Sequence, residues 1–245
     1  MEQNNKGLNP FLHNELFKLS SNLSILNKLV NNMKLTIVDN LFYDFSNLRK
    51  MILNCSPGNW KYDNNGFNFK DYYDCRLSFP SLQTQLLDTT KDIILNNYNK
   101  KTSHLDHVIN VNWFKQIKDK RSNYAFPHSD QSSKNQSYTC LTFLNSEEEC
   151  SGGTAFFKNK ILNKDNSYLD KETEQFYLQN PDSLENGYDY WANEKYWDLI
   201  SYVQMKPNRM IIFPSHYLHA AYHPENNFFN NPRLTLVFWL TEIND

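Results

Sequence analysis

Along the first third of the chain, Leu12, Leu16, Leu19, Leu23, Leu26, Leu29, Val30 and Met33 recur at three- and four-residue steps. That spacing lines up one side of a helix, so an amphipathic helix, or two in succession, is expected over Phe11–Met33. Its polar side is mostly Asn and Ser rather than basic, which fits a helix covering a core and not a membrane anchor. Leu35–Phe42 reads as a strand. A short helix from Ser46 to Asn54 should follow, stopped by Ser56-Pro57-Gly58. Residues 57–79 are aromatic and irregular, as in a long loop pinned to the core by its rings. A second helix is expected over Leu82–Tyr98, with Leu86, Leu87, Ile93, Ile94 and Leu95 as its buried stripe.

The texture then changes to short runs rich in β-branched and aromatic residues: Val108–Phe114, Tyr138–Leu144, Met210–Phe213 and Leu234–Leu240. Residues 158–200 interrupt them with a charged, aromatic insertion, partly helical around Trp191–Ile200. Helices first and strands afterwards predict an α+β fold in which N-terminal helices buttress a β-sandwich or jelly roll. One domain over residues 1–245 is expected, with helical support over about 1–104 and the β core over about 105–245.

Composition narrows the function classes. The 245 residues, 40% hydrophobic, suffice for one sizeable core. With 25 basic and 27 acidic side chains, net charge is -2 and no long basic run appears, so nucleic acid is disfavoured as a partner. No apolar run is long enough to span a bilayer, and Met1-Glu2-Gln3-Asn4-Asn5 does not open a secretory signal. A cytoplasmic location is expected, in the host if the source is viral. Cys55, Cys75, Cys140 and Cys150 form no C-x-x-C pair and read as reduced thiols, Cys140 as a small core residue.

Candidate chemistry centres on Phe126-Pro127-His128-Ser129-Asp130. In an extended segment residues i and i+2 share a face, so His128 and Asp130 can present an imidazole and a carboxylate to one point. A third ligand is offered by Phe213-Pro214-Ser215-His216-Tyr217-Leu218-His219. Two histidines and a carboxylate cover one face of an octahedral ion and leave the opposite face open, which suits non-haem Fe(II). Catalytic zinc accepts the same donors. Each residue alone has a blander reading, as a core or surface histidine, a turn cap, or a surface ion pair for Arg233. Their order along the chain carries the argument: His128-Ser129-Asp130, a strand Thr139–Asn145, a turn at Ser151-Gly152-Gly153-Thr154-Ala155-Phe156, an apolar strand ending Phe213-Pro214-Ser215, then His219, then Arg233-Leu234-Thr235-Leu236-Val237-Phe238-Trp239.

In that order of motifs, over roughly residues 105–240, the sequence resembles the 2-oxoglutarate/Fe(II)-dependent dioxygenases, specifically the prolyl-4-hydroxylase-like branch and a subgroup of bacterial and viral proteins within it. The resemblance implies a double-stranded β-helix with His128, Asp130 and His219 as metal ligands and His223 as second choice for the distal histidine. His216 then reads as an ordinary turn residue. It implies that Arg233 pairs with the distal carboxylate of 2-oxoglutarate, that Thr235 adds a hydroxyl, and that Gly152 and Gly153 make a tight turn. Phe143 stands where several relatives carry a tyrosine that contacts the co-substrate, so that hydrogen bond falls to Thr235, Tyr138 or Tyr124. The implied reaction uses Fe(II), 2-oxoglutarate and dioxygen, with ascorbate as a reductant. It hydroxylates a peptidyl or small-molecule substrate and releases succinate and CO2. Asp130 favours hydroxylation, because halogenating relatives replace that carboxylate by a small residue. A non-catalytic jelly-roll binding module with a vestigial metal site is the rival reading. A zinc hydrolase is a weaker one, since it gives Arg233 no role.

Overall fold

The protein is described from a computed structural model over residues 17–55, 61–62, 72–80, 84–104, 108–116, 127–130, 137–166, 194–224 and 227–243, together with Glu15. In chain order the elements are β1 (Ser24–Val30), β2 (Met33–Asp39), α1 (Phe45–Leu53), β3 (Lys61–Tyr62), β4 (Tyr72–Pro80), α2 (Thr84–Tyr98), β5 (Thr102–His104), β6 (Val108–Gln116), β7 (Ser137–Phe143), β8 (Gly153–Asn159), β9 (Trp197–Gln204), β10 (Arg209–Pro214), β11 (His219–Tyr222), α3 (Asn227–Asn230) and β12 (Arg233–Glu242). Among the described residues, strands make one nine-stranded sheet, ordered β1-β2-β10-β7-β12-β6-β4-β3 with β5 beside the end of β12, and one three-stranded sheet, β11-β8-β9. All of their pairings are antiparallel. No helix among the described residues is long and apolar enough to cross a membrane.

Alternation along the central strands divides the large sheet into two faces. Residues 138, 140 and 142 of β7 and 234, 236, 238 and 240 of β12 turn outward. There Cys140, Leu236 and Phe238 pack with Ile212, Ile109 and Val111 under Leu48 and Ile52 of α1 and Leu86, Leu87, Ile93 and Ile94 of α2. Each such fully buried Leu, Ile or Phe contributes roughly 1.5–3 kcal/mol. On the opposite, inner face Ile37, Ile211, Phe213, Leu141, Phe143 and Val237 meet Phe156 and Val203 of the small sheet and Met205 just after it.

Four expectations are corrected. The helix over Phe11–Met33 is a β-hairpin from Ser24 onward: β1 pairs with β2 from Ser24↔Asp39 to Val30↔Met33, and Asn31 and Asn32 turn the chain with φ of 44° and 66°, as a tight hairpin connection requires. The apolar residues that mimicked a helical stripe lie on an edge strand, where Ile25, Leu26 and Leu29 are 47%, 51% and 73% exposed. The irregular stretch 57–79 contains β4, which joins β6 over its whole length. Leu95 points to solvent at 43% exposure, because the stripe of α2 runs through Leu86, Thr90, Ile93 and Ile94 instead. The expected helix around Trp191–Ile200 is a single 3-10 turn, Glu194–Tyr196, leading into β9. Residues 1–14, most of the aromatic stretch and residues 167–193 of the insertion lie outside the described residues. The region expected as helical support thus supplies strands to the large sheet as well as α1 and α2.

Charge ties the hairpin to the core. Arg209 donates to Asp39 through Nε (2.6 Å) and Nη2 (2.9 Å), joining the end of β2 to the start of β10. The Arg209 hydrogen bond holds the Asp39 carboxyl below the usual carboxylate range, against the opposing effect of burial. A depressed folded-state pKa contributes stability that is present above the unfolded value of about 3.9 and is lost as pH falls through the folded one. Arg209→Ala should therefore lower stability at pH 7 by about 1–2 kcal/mol. The gap from wild type should begin to shrink as pH falls below about 4 and close only below the depressed folded-state pKa, where the carboxylate is protonated in both states. Thermal melts from pH 3 to 7 measure it, and a gap that does not change with pH would refute the assignment.

Candidate metal centre

Backbone pairing builds the centre. Residues 127–130 run beside β11, with the His128 N–H donating to the His219 carbonyl (2.9 Å), the His219 N–H to that of His128 (2.8 Å) and the Asp130 N–H to that of Ser215 (3.0 Å). The His-x-Asp segment is thereby clipped to the strand that carries the distal histidine. Nε2 of His128 lies 3.6 Å from one Asp130 oxygen and Nε2 of His219 lies 3.4 Å from the other. One ligand atom from each of the three residues falls within 4.8 Å of the other two.

Two supports orient these donors. The His219 Nδ1 is 3.0 Å from the Tyr217 carbonyl, which can only accept, so Nδ1 carries a proton and Nε2 is the nitrogen turned toward the carboxylate. Thr139 donates its hydroxyl to Asp130 Oδ2 at 2.8 Å. Its single proton is then committed, so the 2.9 Å contact with Ser215 has Ser215 as donor. Burial alone would push the Asp130 carboxyl up. The facing His219 and His128 imidazoles and the Thr139 hydrogen bond outweigh it and hold the group well below the usual carboxylate range. Phe213 packs edge-on to the His219 ring at 4.8 Å and keeps that side apolar. The His128 side chain is 39% exposed against 6% for His219, so the centre opens on the His128 side.

These residues fit a divalent cation. On an octahedral ion with bonds of about 2.1 Å, adjacent donors lie about 3 Å apart. Each imidazole nitrogen already lies 3.4 or 3.6 Å from an Asp130 oxygen, and side-chain rotation would draw the three donors, now within 4.8 Å of one another, around the ion. The donor set, two neutral imidazole nitrogens and one carboxylate, leaves half of such an ion's coordination sphere uncovered.

Arg233 opens β12 on the inner face, 8% exposed. Its Nη2 donates to Thr154 Oγ1 at 2.9 Å and its guanidinium lies over the Phe143 ring at 5.6 Å. Thr154 pairs with Ala221, one same-face step from the Phe156↔His219 pair. At about 3.4 Å per residue, the arginine's anchor is about 7 Å along the ladder from the distal histidine. Thr235 follows on the same face, opposite Asn112 of β6 and Phe143 of β7.

Among the other predicted residues, Tyr138 is misplaced by expectation. It turns to the outer face, stacks on Tyr98 at 4.9 Å and donates to Glu242 at 3.1 Å, one residue out of phase with Thr139. Tyr124 lies outside the described residues. His223 is fully buried with its ring against Phe228 at 5.3 Å, apart from the three-residue cluster. His216 stacks on Tyr217 in the turn after β10. Gly152 has φ +72°, and a Cβ on Gly152 or Gly153 would strike the carbonyl oxygen of Tyr222 or Val203, so this turn needs glycine to fit between β11 and β9. The four cysteines are free thiols, Cys140 buried. Side chains whose role here had no sign in the sequence are Thr139 and Ser215 beside Asp130 and Thr154 beside Arg233.

Comparison with known proteins bears on this geometry. Residues 26–237 match the model of a family of unknown function, DUF6445. No curated protein matches the sequence. Solved structures similar to the chain include the non-haem α-ketoglutarate-dependent carbocyclase SnoK from nogalamycin biosynthesis, at TM-score 0.51 and 10% identity over 84% of this chain and 79% of that one. They also include HygX from Streptomyces hygroscopicus with nickel, 2-oxoglutarate and hygromycin B bound, at TM-score 0.43 and 11% identity over 84% and 82%. A Pseudomonas putida prolyl-4-hydroxylase follows at TM-score 0.38 and 8% identity over 82% and 88%. The likeness to SnoK is one of fold.

Proposed function

We propose that this chain, which belongs to DUF6445, a family of unknown function, is an Fe(II)- and 2-oxoglutarate-dependent oxygenase built on a double-stranded β-helix. The observation that carries the reading is the convergence of His128 Nε2, His219 Nε2 and the Asp130 carboxylate, with a buried arginine about 7 Å along the same ladder. A metal alone would not require that arginine. A co-substrate chelated to the metal at one end and ionised at the other would. The fold shared with a carbocyclase described as α-ketoglutarate-dependent supports the same choice.

His128, Asp130 and His219 would hold the iron, which when bound supplies oxygen activation coupled to decarboxylation of 2-oxoglutarate to succinate and CO2. The protein's residues supply geometry and charge. Asp130 is held ionised by the facing His219 and His128 rings, with the hydrogen bond from Thr139 adding to them, so the site offers an anionic donor at neutral pH. The proton on His219 Nδ1 is retained by the Tyr217 carbonyl, so Nε2 would be the nitrogen that holds the metal. Arg233 and Thr235 would receive the distal carboxylate, the guanidinium fork matching it bidentately. Phe213, Phe156 and Phe143 wall the chamber with apolar surface, which excludes water and strengthens each of these contacts. The reaction class is hydroxylation of a peptidyl or small-molecule substrate entering on the exposed His128 side.

Anaerobic titration of the metal-free protein with Fe(II) and 2-oxoglutarate tests the reading, with ascorbate present to keep the iron ferrous. A visible charge-transfer band that needs both components is expected. Fe(II) binding without any band would point to a metal-binding module that does not use 2-oxoglutarate.

A further inference from the structure

The inner face of the large sheet changes character from one side to the other. Over β2, β10 and β7 it is apolar, with Ile37, Ile211 and Leu141 under the small sheet. Over β6 and β4, past Phe114, it is polar. Cross-strand pairing sets Phe143, Thr235, Asn112 and Arg76 in one row across β7, β12, β6 and β4, and Asn110 and Ser78 form the next row, hydrogen-bonded at 2.7 Å. Directly paired residues of an antiparallel sheet share a face with Cβ atoms about 5 Å apart. Asn112 is thus the immediate neighbour of Thr235, and Phe114, two residues on, faces Arg233.

The Asn112 side-chain oxygen is buried, with no hydrogen-bond partner among the described residues. A buried amide left unmatched is costly, and native proteins keep such groups where something else completes them. Asn110, two residues earlier on the same strand face, shows the contrast: its amide oxygen accepts from Ser78. The two amide termini of an asparagine differ only in which atom is assigned where, so Asn112 can turn its NH2 toward the same point. A carboxylate gripped by Arg233 and Thr235 accepts several hydrogen bonds and has room for a further donor. On the far side of Thr235 stands Phe143, which has none to give.

We infer that Asn112 is a co-substrate-binding residue that donates its carboxamide N–H to the distal carboxylate of 2-oxoglutarate, opposite the position occupied by Phe143. The inference rests on the reading of the chamber as a 2-oxoglutarate pocket and deepens it. It also separates recognition of the two ends of the co-substrate, because Asn112 lies beside Thr235 and away from the metal ligands.

The test uses Fe(II)-loaded protein without oxygen and follows the visible band during titration with 2-oxoglutarate and with 2-oxopentanoate, which has the same chain length and lacks the distal carboxylate. Asn112→Leu should weaken 2-oxoglutarate about ten-fold or more and leave 2-oxopentanoate within about two-fold. Asn112→Asp, nearly isosteric and safe for the fold, should weaken 2-oxoglutarate at least as much, by setting a like charge beside the carboxylate, again sparing 2-oxopentanoate. Equal effects on both keto acids, or none on either, would overturn the inference while the wild-type band kept the pocket reading intact. A wild-type protein that binds Fe(II) and gives no band with either acid would remove the pocket reading itself.

Discussion

Asp130→Ala should abolish specific Fe(II) binding and, with it, all turnover of 2-oxoglutarate. Asp130 is the only carboxylate in the three-residue cluster, and its two oxygens face one imidazole each. Its removal leaves two neutral nitrogens with nothing to balance a dication. Losing a partner that merely orients a ligand costs about 10–100-fold in metal affinity, so losing the charged ligand should cost more than about 100-fold. The fold should survive. The backbone bonds that clip residues 127–130 to β11 do not involve the carboxylate, and the change removes a largely buried charge from metal-free protein. Anaerobic calorimetry with Fe(II), beside circular dichroism of the same sample, gives both numbers. Wild-type affinity in the alanine variant would mean that the cluster is not the metal site. Loss of folding together with binding would instead make Asp130 a structural residue.

The site was legible in the sequence wherever a short spacing decided it. His128 and Asp130 share a face because they are two residues apart, and His219 begins a strand just beyond the turn after Pro214. Residues that depend on pairing between distant strands were not. Tyr138 and Thr139 are adjacent, and only the register of β7 between β10 and β12 says which one faces Asp130. A one-residue choice of phase exchanges the two faces of a strand, so a hydroxyl expected from Tyr138 is found on Thr139, doing a different task. The pairing of Asn112 with Thr235 was hidden for the same reason, since nothing local links the two residues.

The fold was least legible where helical and strand patterns coincide. Leu23, Leu26, Leu29, Val30 and Met33 satisfy a helical spacing, yet Leu26 and Leu29 belong to an exposed edge strand, where side chains are not sorted by a core and periodicity carries little information. The turn signal was present at Asn31-Asn32, two residues that tolerate positive φ. It lost to the apolar count. Central strands such as β7, β10 and β12 are largely buried on both faces, and their β-branched and aromatic residues mark them as strands without any alternation.

Arg233→Leu should separate metal binding from co-substrate binding. Leucine keeps apolar contact with Phe143 and fits a position only 8% exposed, at the cost of the hydrogen bond to Thr154. Fe(II) affinity should stay within about two-fold, because the anchor at Thr154 is about 7 Å along the ladder from His219. Affinity for 2-oxoglutarate should fall by about 100- to 1000-fold, as expected for two charge-assisted hydrogen bonds at roughly 1.5–3 kcal/mol each, less some relaxation. Arg233→Lys should recover part of that loss, since an ammonium supplies charge without the planar fork. A direct comparison of the three proteins by the Fe(II)–2-oxoglutarate band measures both constants in one cell. Unchanged 2-oxoglutarate affinity in the leucine variant would show that the buried guanidinium serves the sandwich and not the co-substrate. A parallel loss of Fe(II) would show that the two ends of the chamber cannot be treated as separate sites.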